Sequence, residues 1–242
     1  MEVSESVNLE KTTYNGEAKL FVAIDCIIFG FDGENLKLLL IKRNFEPEKG
    51  KWSLMGGFVR ENENLEDGSH RILNELTGLE NVYMEQMQTY GGVERDPLAR
   101  TLSISYFALI NIHDHDKELA LSKNGFWFNL DNVPDLIFDH SEMVDKALAH
   151  LRYKAALHPL GFELLPDKFT IPQLQKLYEA IYDKQLDRRN FSRKILSTQL
   201  LIDTGEKNEG GSTKKAILYK LDKEKYNNQF NDFHYFTPKG FV

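Results

Sequence analysis

The run GFVRENENLEDGSHRILNELTGL at residues 57–79 constrains the fold of this chain more than any other. Gly57 ends the apolar stretch WSLMGGFV at 52–59, and Gly78 follows a helical pattern. Leu65, Ile72, Leu73 and Leu76 recur on one side of that pattern, so a helix is expected over Asn64–Thr77 with Gly78 just past its end. The segment must turn, lay one aliphatic side of a helix on a neighbouring layer, and turn again. Arg71 and Glu75 stand at i,i+4 on this helix and suit an intrahelical ion pair.

The residues around this run supply the layer. Phe21–Phe29 (FVAIDCIIF) is a β-rich apolar run, Asp32-Gly33-Glu34-Asn35 is a turn, and Leu36–Lys42 (LKLLLIK) is the returning strand, which together make a hairpin. Val82–Tyr90 and Thr101–Ile112 read as strands separated by the polar loop GGVERDPLAR, and Phe126–Phe128 as a short strand. Ser141–Leu151 is amphipathic and reads as a helix. Mixed strands with few helices give an α+β body. The single cysteine, Cys26, lies in an apolar run and excludes an internal disulfide framework; a buried, inert thiol is expected.

The pattern changes near residue 152. His158-Pro159 and Pro166 punctuate a connection. Thr170–Tyr182 then reads as a helix with Thr170 as N-cap, Pro172 in the first turn, and Leu174, Leu177, Tyr178 and Ile181 as a buried stripe. After a break at Asp183–Leu186, Asp187 can cap a second helix, RRNFSRKILSTQ, with Phe191 and Ile195 facing inward. Leu200–Asp203 and Ala216–Leu221 flank the loop TGEKNEGGSTKK as a hairpin. This is the layout of a winged helix-turn-helix. The expected divisions are an N-terminal segment at 1–19, a body at 20–152, a linker at 153–168, the winged helix at 169–225 and a tail at 226–242.

Charge separates the two parts. Residues 1–150 carry 14 Lys+Arg against 26 Asp+Glu, and residues 151–242 carry 16 against 11. An acidic body joined to a basic domain suggests different partners for each. In the second helix, Arg188, Arg189 and Asn190 stand where base edges would be reached, and Arg193 and Lys194 suit bases or phosphates. In the wing, Lys207, Lys214 and Lys215 would meet the DNA backbone, with Glu206 and Glu209 opposing. Candidates for holding a small molecule are Arg43, Arg95 and Arg100, with Phe58, Tyr106 and Trp127 as possible ring partners, although each type is more often surface or core. The histidines, His113 and His115 included, show no metal-ligand spacing, and there is no catalytic triad or glycine-rich phosphate loop. The polar, acidic N-terminus carries no signal peptide, and no apolar run is long enough for a membrane helix, so a cytoplasmic protein is expected.

Residues 57–79 also resemble a Nudix box: Gly, five residues, Glu, seven residues, then Arg-Glu-U-x-Glu-Glu-x-Gly-U, with U aliphatic. Gly57, Glu63, Arg71, Leu73, Glu75, Gly78 and Leu79 fall in register, but Ile72 and Leu76 stand at two of the three acidic positions. In the enzymes resembled, those carboxylates bind the magnesium that activates diphosphate cleavage. The resemblance therefore implies a Nudix-type α/β/α sandwich with a mixed sheet, without catalytic residues, metal or cofactor. Weak metal binding through Glu61, Glu63 and Glu66, or through Glu75 as a lone ligand, and residual hydrolysis stay alternatives.

With the segment GFELLPDKFTIPQLQKLYEAIYDKQLDRRNFSRKIL at 161–196, the chain resembles the Nudix-related transcriptional regulators over roughly residues 20 to 222. IDCIIFGF, LLLIKRNFEPEKGKWSLMGGFV and ELTGLENVYMEQ look like the sugar-responsive branch of that family. The resemblance implies a homodimeric repressor of sugar catabolism genes that binds double-stranded operator DNA and senses a pentose such as L-arabinose. The alternatives are an ADP-ribose-sensing regulator of NAD metabolism, or a Nudix hydrolase acting on a nucleoside diphosphate derivative.

Overall fold

The computed structural model describes residues 17–80, 82–113, 125–157, 159–208 and 216–231. Strand β1 (Phe21–Phe31) is the centre of a seven-stranded mixed sheet. On one side it runs parallel to β6 (Thr101–Asn111) along its full length, and β6 pairs antiparallel with β5 (Glu85–Tyr90). Its other side is shared. The second half pairs with β2 (Leu36–Lys42), and the first half pairs with β4 (Met55–Phe58). Strand β2 continues outward to β3 (Trp52–Ser53) and β7 (Gly125–Asn129). The expected hairpin is present, and Asp32 fastens its turn by accepting from the amides of Glu34 and Asn35.

Strand alternation sends β1 side chains to two different layers. Ile24, Cys26 and Ile28 pack under helix α1 (Leu65–Thr77), while Ile27, Phe29 and Phe31 face helix α2 (His140–Leu157). Helix α1 starts and stops on its local signals. Asn64 accepts from the amide of Asp67, and Gly78 adopts φ 75° with its amide donating to Asn74. Burial pushes the Cys26 thiol far above its ordinary pKa, as an inert core sulfur requires.

Helix α2 differs from the expectation of Ser141–Leu151. It runs on to Leu157, across the expected boundary at 152, because Ala155 and Ala156 favour helix and no breaker intervenes before Pro159. Its buried residues Met143, Ala147, Leu151 and Ala155 join one continuous core that extends from the sheet into the C-terminal domain.

That domain is the expected winged helix. Helix α3 (Ile171–Tyr182) opens with a capping box, in which Thr170 and Gln173 satisfy each other's backbone amides. Asp183 takes a left-handed φ of 53° to end it. Helix α4 (Arg188–Ser197) is capped by Asp187, whose side chain accepts from the amide of Asn190. Strands β8 (Leu201–Lys207) and β9 (Ile217–Leu221) form the wing hairpin. A further helix, α5 (Lys223–Asn231), occupies ground expected to belong partly to the tail. Asp222 starts it by accepting from the amide of Lys225, and Tyr226 anchors it with its ring edge-on to Phe162 at 5.6 Å. Asp222 was the local signal for this helix. Among the described residues no helix is long and apolar enough to cross a membrane.

Candidate effector cavity and nucleic-acid interface

The remnant of the acidic box is closed on itself. Arg71 donates to both oxygens of Glu63 (2.7 and 2.5 Å), to Glu75 (3.0 Å) and to the Phe58 carbonyl (3.0 Å). Arg60 reaches the other oxygen of Glu75 at 2.9 Å. The hydrogen bonds from Arg71 hold the Glu63 carboxyl down to about 2, and Glu63 in turn raises the Arg71 guanidinium. Ile72 is buried under the sheet, close enough to Gly57 that a side chain there would press on it at 3.0 Å. A magnesium ion needs clustered carboxylate oxygens. Here two positions are aliphatic and the remaining carboxylates already face guanidinium groups, so the residues present do not fit that ion. Among the described residues no three His, Cys, Asp or Glu side chains are grouped to hold a metal.

A cavity of about 70 Å³ lies on the opposite face of the sheet, toward the start of α2. It brings Arg43, Phe58 and Arg95 together, along with Asp25, Phe138 and His140. The last three were not singled out by the sequence. Asp25 is buried in the middle of β1, where it accepts from the Ser103 hydroxyl at 2.6 Å. Its other oxygen stands 3.5 Å from His140 Nε2 and sits so close to Gly56 that a Cβ there would approach it to 2.3 Å. His140 Nδ1 lies 3.2 Å from the Leu54 amide and accepts from it, so the imidazole is the Nε2-protonated neutral form. Burial keeps its pKa below the ordinary value, against the pull of Asp25 and Asp139.

The two cavity arginines differ. Arg95 is bidentate to Asp139 at 2.9 and 2.7 Å and stands 3.6 Å from Asp25. Burial works against its charge, but Asp139 and Asp25 more than offset this and raise it. Arg43 donates to the Pro47 carbonyl at 2.6 Å and stacks on Phe45 at 3.8 Å. No carboxylate lies within ion-pair distance of it among the described residues, and burial lowers its pKa despite Asp96 and Asp25 nearby.

The remaining candidates lie elsewhere. Tyr106 is buried on the α1 face and donates to Gln86 at 3.2 Å. Trp127 packs on the same face, over Gly30, where its ring leaves no room for a Cβ. Arg100 donates to the Gly92 carbonyl outside the cavity. The sequence proposed residue types, whereas the face depended on register: Tyr106 pairs with Cys26, one residue from Asp25, and so points to the other side.

The C-terminal surface has the opposite character from the box. Arg188, Arg189, Asn190, Arg193 and Lys194 are all exposed on α4, and none of its four cations is ion-paired among the described residues. Arg193 donates to Asn190 Oδ1 at 2.9 Å. The inner side is held by Tyr178 and Phe191, with rings 5.4 Å apart, and by buried Ile195. Glu179 fixes the turn before α4 by accepting from Gln175 and from the Leu186 amide. In the wing, Lys207 is exposed, and Glu206 is neutralised by Lys168 at 2.7 Å. Glu209, Lys214 and Lys215 lie outside the described residues.

Comparison with known proteins agrees with this division. Residues 19–147 match the NUDIX domain family, and residues 161–221 match the NrtR DNA-binding winged helix domain. An ADPR responsive transcriptional repressor of Acinetobacter baylyi is 33% identical over 213 residues, covering 86% of this chain and 85% of that protein. The crystal structure of Shewanella oneidensis NrtR complexed with a 27mer DNA is 30% identical, with TM-score 0.74, covering 85% of this chain and 95% of that one. The NUDIX domain of the same protein, complexed with ADP ribose, is 28% identical with TM-score 0.52 over 62% of this chain and 99% of that one. The descriptions of the Acinetobacter repressor and of the isolated Shewanella NUDIX domain name ADP-ribose, and none names a sugar, so they do not support the sugar-responsive branch and the role in carbohydrate metabolism expected from the sequence. The chain belongs to the NrtR family of Nudix-related transcriptional regulators, with a NUDIX domain followed by a DNA-binding winged helix domain.

Proposed function

We propose that this chain is a transcriptional repressor that binds operator DNA through α4 and releases it when ADP-ribose enters the NUDIX domain. Arg43 carries the effector reading: it is a half-buried cation beside an aromatic ring, without a carboxylate partner among the described residues. An anionic diphosphate is the complement of such a group. The descriptions of the Acinetobacter and Shewanella relatives support the same choice. The DNA reading rests on the cations of α4, which meet no carboxylate among the described residues and which counterion release would reward on a phosphate backbone. The active form would be a homodimer on a palindromic site, since two winged helices on one duplex read two half-sites.

The domain would bind its ligand without cleaving it. Ile72 and Leu76 supply no oxygens, and Glu63 and Glu75 are already held by Arg71 and Arg60. A pentose is the second reading. A cavity of about 70 Å³ with a buried carboxylate suits a small neutral polyol better than a dianion.

Thermal unfolding against ADP-ribose, NAD, L-arabinose and other pentoses, with and without Mg²⁺, separates these readings. A ligand that binds only the folded state raises the midpoint by mass action. A magnesium-independent rise with ADP-ribose is the expected result. A rise with L-arabinose alone would replace the effector, and a protein that prefers no duplex over random DNA would end the repressor reading.

A further inference from the structure

Helix α2 joins the two candidate sites. Its first turn lies at the cavity and its last turn lies against the winged helix, about 27 Å away for 18 residues at 1.5 Å each. At the cavity end three features hold it. Asp139, just before the helix, is clamped by Arg95 through two hydrogen bonds. His140 sits between Asp25 and the Leu54 amide. Phe138, which lines the cavity, is forced to a left-handed φ of 50°, a conformation that a bulky side chain rarely adopts. At the far end Arg152 Nε donates to the Ile181 carbonyl at the C-terminus of α3, at 2.8 Å, and Leu151 and Ala155 sit in the shared core.

We propose that the Arg95–Asp139 pair is a latch that holds α2 in the DNA-binding position, and that an anionic effector opens it by taking Arg95 from Asp139. The guanidinium is the shared element: it lines the cavity and also carries the clamp. Its Nε and Nη2 donors are engaged with Asp139, so a diphosphate that draws those donors to itself takes them from the clamp. Once Asp139 is released, the start of the helix loses its ion pair and is left to His140, buried Met143 and the Ile137 amide on the Trp52 carbonyl, beside the strained Phe138 backbone. Relaxation of Phe138 then turns α2 and carries α3, and with it α4, out of register with the second half-site. The two ligands thus compete through one side chain, which is negative coupling by a stated contact. Because it assigns an anionic ligand, the latch deepens the ADP-ribose reading and rests on it.

The test uses the full-length protein and a duplex that the wild-type protein selects from a randomised pool. Asp139→Asn keeps the shape of the side chain and removes the charge that competes for Arg95. It is expected to weaken duplex binding about tenfold with no ligand present, and to tighten ADP-ribose binding by a similar factor. A loss of structure would weaken both, so opposite signs are the signature. Arg152→Met, at the far end, should leave ADP-ribose binding unchanged and lessen the release of duplex by ADP-ribose. Unchanged duplex affinity in Asp139→Asn, weakening of both ligands, or full release in Arg152→Met would each overturn the latch. If wild-type protein binds no ADP-ribose, the effector reading fails by itself. The latch is then judged by ligand-free duplex affinity of Asp139→Asn, where a tenfold loss retains it and no change removes it.

Discussion

Helices α1 and α4 are both short, amphipathic and rich in charge, yet they treat their charges in opposite ways. On α1, Arg71 gathers Glu63, Glu75 and a carbonyl around itself, and Arg60 completes the set. On α4, four cations and an asparagine face solvent with no carboxylate to meet them among the described residues. A closed network is satisfied by the fold and holds a loop in place. An open row of like charges is tolerable only at some cost in self-repulsion, and a phosphate backbone removes that cost. The contrast supports the proposed division, in which the first helix serves structure and the second recognition, although the first carries the residue pattern associated with chemistry.

The comparison can be broken most forcefully at α4. Replacing Arg188 and Arg193 together by Ala should cost about 4 kcal/mol of operator binding, close to a thousandfold, if each makes a bidentate base or phosphate contact. Fluorescence anisotropy with a selected duplex measures it, and the thermal midpoint should hardly change. On α1 the corresponding probe restores an acidic residue. Ile72→Glu buries an unpaired carboxylate beneath Gly57 and should destabilise the fold by on the order of 3 kcal/mol in urea unfolding. Stabilisation of that variant by Mg²⁺ would show that the box is one residue from function, which the network account denies.

Two smaller effects sharpen the contrast. Arg71→Met leaves Glu63 and Glu75 without their shared cation and should lower the thermal midpoint by a few degrees, with duplex affinity intact in calorimetry and binding assays run in parallel. The Glu63–Arg71 contact also carries a pH signature. Glu63 titrates near 2 in the folded chain against an ordinary 4.5. Its contribution is therefore complete above 4.5 and is lost as pH falls from there through about 2. Thermal scans over that window should show Glu63→Gln with a shallower fall than the parent.

Much of the fold was legible because its signals are local. Asn64 and Gly78 bound α1, Thr170 with Gln173 starts α3, and Asp187 starts α4, each within a few residues of the element it fixes. The end of α2 is not legible in the sequence, because the composition changes near residue 152 while nothing in Arg152–Leu157 breaks a helix. Asp222 signals the start of α5, but the aromatic, polar tail hides its weak amphipathic pattern. The cavity was legible only in part. Asp25 sat inside an apolar run, His140 at the edge of a helix, and Phe138 in a loop, and only the tertiary fold brings them to Arg43 and Arg95. Arg43, Phe58 and Arg95 share the cavity while Tyr106 and Trp127 lie on the other face, a division set by sheet register rather than by residue type.

The central claim is that the NUDIX domain senses while the winged helix binds, and one titration tests both together. Labelled duplex bound to the full-length protein is titrated with ADP-ribose in the presence of Mg²⁺, and the nucleotide is recovered afterwards. The account predicts that the anisotropy falls as the duplex is released, with the ADP-ribose recovered intact. Conversion of ADP-ribose to AMP and ribose 5-phosphate, or a duplex that stays bound at saturating ligand, would contradict it.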